Sequence, residues 1–211
     1  MNDVLSRIDH LIYGTPDLEA TIETLESQLG IPASSGGQHL GEGTRNALYS
    51  LGPRIYLEIL GPDPDQPKPE KPRWLGIDDL EEPRLVTWVA RAKNLEQLVQ
   101  VAAKNNILLG QVLAGSRQSP DGEVLAWQVT DPRTVVADGV VPFFIDWGET
   151  PHPSETAVQG LRLDSLRAEH PDPKRTLDDL KAVGLGLSVQ QGQTPTLIAT
   201  LGTPRGGFEL K

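Results

Sequence analysis

The stretch Gly36–Pro62, GGQHLGEGTRNALYSLGPRIYLEILGP, decides how the rest of the chain is read. It opens as a Gly-rich loop and passes into a β-hairpin whose second strand carries one acid in apolar company. In Ile55-Tyr56-Leu57-Glu58-Ile59-Leu60, alternation sets Glu58 on the same face as Tyr56 and Leu60. A strand this apolar is expected to be covered on both faces, where a carboxylate is costly unless it is paired or bound to metal. His10 stands in a similar strand, Ile8-Asp9-His10-Leu11-Ile12-Tyr13. Function turns on whether His10 and Glu58 meet.

Working outward, 211 residues with 37% hydrophobic and 23% charged side chains suffice for a sizeable core of the globular class. A formal charge of −10 disfavours nucleic acid and anionic membrane surfaces as partners. No run approaches the roughly 18 apolar residues of a membrane helix. The start, MNDVLSRIDH, lacks a basic-then-apolar signal pattern. With no cysteine, disulfides, thiolate metal sites and a cysteine nucleophile drop out. The simplest location is the cytoplasm.

Three segments share one order of elements. In the first, residues 7–62, a strand at Arg7–Tyr13 precedes a helix capped by Asp17, with Leu18, Ile22, Leu25 and Leu29 at helical spacing and Gly30 at its end. After the Gly/Ser loop come strands near Ala47–Leu51 and Ile55–Leu60. Residues 63–83 belong to a Pro-rich linker with Trp74 and Leu75 as its apolar anchors. The second segment, 84–148, has a strand at Leu85–Ala90 and a helix begun by Asn94, with Gln97 placed as in a capping box. Strands follow near Leu109–Leu113, Val124–Val129 and Val141–Trp147, the first two joined by a Pro120-Asp121-Gly122 turn. The third, 158–211, repeats the pattern from Leu161 to Leu210. Without gaps, Asp9-His10-Leu11 falls on Asp164-Ser165-Leu166; at the other end Tyr56-Leu57-Glu58-Ile59 falls on Gly207-Phe208-Glu209-Leu210.

A βαβββ unit repeated along a chain, with His in its first strand and Glu in its last, resembles the vicinal oxygen chelate superfamily, which includes glyoxalase I and the extradiol dioxygenases. Within it the chain is most similar to the glyoxalase-like domain family. The carrying residues are Ile8-Asp9-His10-Leu11, Gly36-Gly37-Gln38-His39, Gly43-Thr44-Arg45-Asn46-Ala47-Leu48 and Tyr56-Leu57-Glu58. Further on they are Gly115-Ser116-Arg117, Pro120-Asp121-Gly122, Pro142-Phe143, Ile145-Asp146-Trp147-Gly148 and Pro151-His152-Pro153. The resemblance implies an α+β fold of paired βαβββ modules forming cupped mixed sheets, with a divalent metal (Fe, Mn, Zn, Ni or Mg) at the base of the cup. Carried over by position, the ligands are His10, Glu58 and Glu209, with Ser165 at the fourth place. The second segment offers only Thr87 and Ile145. A full site thus requires segments one and three to pair, or a neighbouring subunit to contribute; three modules also favour self-association, in the simplest case a homodimer. The implied activity is a metal-dependent lyase, isomerase or dioxygenase acting on a small oxygenated metabolite. Proton transfer beside a metal-bound carbonyl comes first, with Glu58 or Glu209 alternating between ligand and base. Strict glyoxalase I activity is disfavoured. The alternative is a metal-free protein that sequesters a small molecule in the same cup.

Several side chains keep two readings. His10 and Glu58 are metal ligands, a buried hydrogen-bonded pair, or two exposed side chains placed by chance. Glu209 is a ligand or a solvated acid near the C-terminus. His39, in the Gly-rich loop, is a general acid/base or a substrate clamp at the mouth of the cup. Arg45 and Asn46 bind a ligand's carboxylate or carbonyl, or Arg45 pairs with Glu42 or Glu58 while Asn46 caps a turn. Arg117 is a second anion-binding residue or a surface arginine, and Tyr56 belongs with the substrate-binding set. Trp147 is placed in the core, Asp146 beside an arginine, and His152 in a packed loop or over the site. A phosphate cradle and a serine triad are not supported, since neither a Walker, GxGxxG nor GxSxG pattern occurs.

Overall fold

The structure, a computed structural model, describes residues 4–118 and 122–211, so Pro120 and Asp121 of the expected turn lie outside the described residues. The first segment comprises β1 (Ile8–Gly14), α1 (Leu18–Leu29), β2 (Ser34–His39), β3 (Thr44–Gly52) and β4 (Ile55–Pro62). The second comprises β5 (Arg84–Arg91), α2 (Leu95–Lys104), β6 (Val112–Gln118), β7 (Val124–Thr130) and β8 (Phe143–Asp146). The third comprises β9 (Arg162–His170), α3 (Pro173–Ala182), β10 (Ser188–Gln191), β11 (Thr196–Thr203) and β12 (Gly206–Leu210).

Local chemistry sets the helix ends. The Asp17 carboxylate accepts from the Ala20 amide at 3.0 Å, and Gly30 closes α1 at φ 82° with its N–H on the Glu26 carbonyl. Asn94 and Asp172 cap α2 and α3 in the same way. Leu18, Thr21, Leu25 and Leu29 form the buried stripe of α1.

The first two segments close on each other. Their strands form one barrel in the order β1-β4-β3-β2-β6-β7-β8-β5, with β1 antiparallel to β5 over most of its length. On the other side β2 meets β6 through a single pair, Gln38 and Gln118. The pairing of segments one and three required for a full ligand set is therefore not the one formed. The third segment makes its own sheet, β10-β9-β11-β12, and packs on the barrel's outer wall. Leu163, Leu180 and Leu201 share one apolar cluster there with Tyr49, Leu57 and Trp88.

Two sequence expectations shift. The Gly/Ser stretch after α1 is strand β2 rather than loop, and β6 begins at Val112 instead of Leu109. Along β4, Leu57 and Ile59 face the outer cluster while Tyr56 and Leu60 join the inner one, so alternation puts Glu58 inside the barrel. Among the described residues no helix is long and apolar enough to cross a membrane.

Candidate active site

The candidate site is the barrel interior. β1 carries a bulge: Ile8 pairs with Ala90 and His10 with Val89, leaving Asp9 as the extra residue. Neighbours in a regular strand point to opposite faces, but here Asp9 and His10 touch side chain to side chain. The His10 Nδ1 lies 2.9 Å from an Asp9 oxygen. The Trp147 indole N–H donates to the same oxygen at 3.1 Å, and His152 Nε2 is 3.3 Å from the other. Burial alone would raise the Asp9 carboxyl; hydrogen bonds and electrostatic attraction from His10 and His152 outweigh it and hold Asp9 well below the ordinary carboxylate range. An ionised Asp9 fixes the proton of His10 on Nδ1 and leaves Nε2 to face Glu58 at 3.5 Å.

Glu58 is the centre of the cluster and 6% exposed. The Asn46 amide donates to its Oε1 at 2.5 Å, and His39 Nε2 stands 3.8 Å from that oxygen. The other His39 nitrogen is 3.2 Å from the Thr44 hydroxyl. Burial depresses the His39 pKa, with the Glu58 charge opposing and Arg117 assisting, so His39 is neutral near pH 7. Tyr56 stacks on His10 at 4.4 Å between ring centroids. Burial, reinforced by Glu58 and Asp9, pushes its phenol well above the usual value, so it acts as a hydroxyl and not a base. Arg117, on β6, donates to the Asn46 oxygen at 3.2 Å, completing a run from guanidinium through amide to carboxylate.

Glycines of β2 make this packing fit. A Cβ on Gly36 would lie 1.9 Å from the Asn46 Oδ1, and one on Gly37 would meet the Gln118 carbonyl at 2.1 Å and the Arg117 stem at 3.1 Å. Trp74 and Leu75, from the 3-10 segment Trp74–Asp79 in the Pro-rich excursion, roof the interior; the Trp74 ring meets His39 edge-on at 5.2 Å. Arg73 ties that excursion down by donating to the Gly43 carbonyl at 2.7 Å. The space left inside is about 30 Å³, enough for on the order of two waters.

The structure thus brings together His10, His39, Asn46, Tyr56, Glu58 and Arg117. It does not bring in Arg45, which alternates with Asn46 along β3, leaves the interior and pairs with Glu19 on the outer side. Nor does it bring in Glu209, which lies on β12 of the separate sheet, half-exposed beside Arg167 and Lys211; Ser165 is likewise exposed, bonded to Thr200. Asp146 pairs with Lys93 rather than an arginine. His152 is buried against Asp9, with its Nδ1 2.8 Å from the Ser154 hydroxyl. Asp9 and Trp127 belong to this cluster without a role expected from the sequence. An acid beside His10 in an apolar strand was the available signal for Asp9; nothing in the sequence singled out Trp127.

A divalent ion needs several converging anionic or lone-pair donors. Thr87 is spent on the Gly139 carbonyl at 2.9 Å, and Ile145 presents only carbon. Glu58 already takes the Asn46 amide, and the Arg117 cation stands one amide away. Among the described residues no group of three or more His, Asp or Glu side chains could hold an ion. The residues present do not fit the metal that the fold family implies.

A barrel of two βαβββ modules with His and Glu facing each other on the first and last strands defines a protein of the vicinal oxygen chelate class. A model of the glyoxalase-like domain matches residues 8–184, and the chain belongs to that family. No curated protein matches it. Among solved structures, a hypothetical protein from Staphylococcus aureus aligns over 97% of this chain and 98% of its own, at 13% identity and a TM-score of 0.70, a likeness of fold alone. Methylmalonyl-CoA epimerase from Mycobacterium tuberculosis aligns over 69% of this chain and 90% of its own, at 17% identity and a TM-score of 0.41. A hypothetical protein from Bacillus halodurans aligns over 69% and 96%, at 18% identity and a TM-score of 0.44. At such scores neither likeness bears on the chemistry of this chain.

Proposed function

We propose that the protein is an isomerase or lyase that moves a proton on a small oxygenated molecule bound inside the barrel, with Glu58 as the acid/base and no divalent metal. The observation that carries this reading is the buried line Asp9–His10–Glu58, at 2.9 and 3.5 Å. Glu58 removes a proton from a carbon next to a carbonyl. Asp9 holds His10 through Nδ1, so that Nε2 relays the proton that Glu58 takes up and gives back. Neutral His39 is the second group positioned to donate or accept beside the same carboxylate. The metal-dependent route is set aside on the donor set, with Thr87 and Ile145 where two further ligands would stand.

The test is hydrogen exchange in D2O on short 2-oxo and 3-oxo acids, followed by proton NMR with and without chelator. The expected result is exchange that survives the chelator and falls by about a hundredfold or more in Glu58→Gln. Exchange that Glu58→Gln leaves intact, or that disappears with the chelator and returns with an ion, would overturn it. A second reading, sequestration without turnover, is favoured by the aromatic wall of Trp74, Trp127 and Trp147 around the small interior. Tight binding of a compound that never exchanges a proton is its signature.

A further inference from the structure

Arg117 sits 6% exposed inside the barrel. Its one hydrogen bond among the described residues goes to a neutral acceptor, the Asn46 amide oxygen at 3.2 Å. Its Nε is buried with no hydrogen-bond partner, and no carboxylate of the described residues lies within ion-pair distance of it. A buried guanidinium that no carboxylate of the described residues neutralises is costly, and an arriving anion would offset that cost. A second orphan lines the same cavity: the Trp74 indole nitrogen, in the roof, is also buried without a partner. The two residues come from different parts of the chain, a strand of the barrel wall and the Pro-rich excursion, and both line one small space.

We propose that Arg117 and Trp74 form a carboxylate-binding subsite, and that the ligand of this barrel is a short monocarboxylate. The guanidinium fork and the indole N–H match the in-plane lone pairs of a carboxylate. A phosphate would bring more oxygens and charge than one cation and one neutral donor satisfy. An interior of about 30 Å³ restricts the ligand to the shortest chains. The proposal rests on the proton-transfer reading in one respect: the run Arg117–Asn46–Glu58 sets a bound carboxylate one amide away from Glu58, so the reacting carbon is the one next to the carboxylate or its neighbour.

The experiment is a direct binding titration, by calorimetry and ligand-detected NMR, of acetate, propionate and pyruvate against acetamide, propionamide and pyruvamide. The wild type is expected to bind the acids and not the amides. Arg117→Gln is expected to weaken the acids by about tenfold or more, the worth of a charge-assisted hydrogen bond. Arg117→Lys keeps the charge in place and recovers part of the affinity. Trp74→Phe keeps the roof ring, loses the N–H and weakens binding by about threefold to tenfold. Amides that bind as well as the acids, acids that bind Arg117→Gln as they bind the wild type, or no acid bound by the wild type would each overturn the subsite. Glu58→Gln separates the two proposals. Acids that bind it and the wild type alike, with no exchange in either, leave the subsite standing and remove proton transfer; exchange indifferent to Arg117→Gln does the reverse.

Discussion

His39 shows how much a single buried side chain does to the pH response. Its ordinary pKa is 6.5, and burial, aided by Arg117 and His10 and opposed by Glu58 and Glu42, holds the folded value lower. As pH falls through 6.5 the unfolded chain takes up this proton while the folded chain does not, so stability is lost from there down to the folded pKa. Above that window both states are neutral at His39 and it adds no slope. The melting temperature of the wild type should therefore fall more steeply between about pH 7 and 5 than that of His39→Gln. Parallel curves for the two proteins would show that His39 is not held neutral. Glu58 and His10 were legible in the sequence because an acid and an imidazole in apolar strands demand partners. The contact of Asp9 with His10 was not, because strand periodicity sends Asp9 to the opposite face, and only the bulge at that position brings the two together.

At the scale of the element, β2 is the instructive strand. Glycine and serine have low strand propensity, so Ser34–His39 reads as loop, whereas packing decides the matter. Gly36 and Gly37 are there for the space they leave to Asn46, Arg117 and the Gln118 carbonyl. That makes the β2–β6 seam, held by one pair, sensitive to a single methyl group. Gly37→Ala should cost about 1–3 kcal/mol, since its Cβ would press on backbone and not on a flexible side-chain tip. Gly186→Ala is the control, for nothing lies within 4 Å of the added carbon and its φ is not positive. Urea unfolding of the two variants, with quenching of tryptophan fluorescence, measures both stability and seam opening. Equal midpoints would mean that the seam tolerates the methyl and that β2 is looser than its packing implies. The caps and amphipathic stripe of α1 were legible from sequence alone, because they depend on residues within one turn of each other.

For the whole molecule, the repeat was readable but not the pairing, since alternation along a strand says which face is apolar and not which module will cover it. Segments one and two pair because β5 is buried along nearly its whole length and lies against both β1 and β8. The third segment then covers the outer wall, with the Ser50 amide donating to the Val158 carbonyl at 2.9 Å and Arg205 donating to the Ser27 carbonyl. The module left without a barrel partner thus lays its apolar face on the barrel. Its other face carries Arg162, Asp164, Arg167, Glu169 and Glu209, paired with one another or with Lys211. Because Leu163, Leu180 and Leu201 sit in the same cluster as Tyr49 and Trp88, barrel and third sheet cannot unfold separately without exposing shared apolar surface. Calorimetry should accordingly show one transition whose van't Hoff and calorimetric enthalpies agree. Leu201→Ala, which opens a cavity in the shared cluster, should lower that single transition by about 2–5 kcal/mol rather than split it. A second peak that moves alone in this variant would mean that the third segment is an independent unit, resting on the barrel without sharing its core.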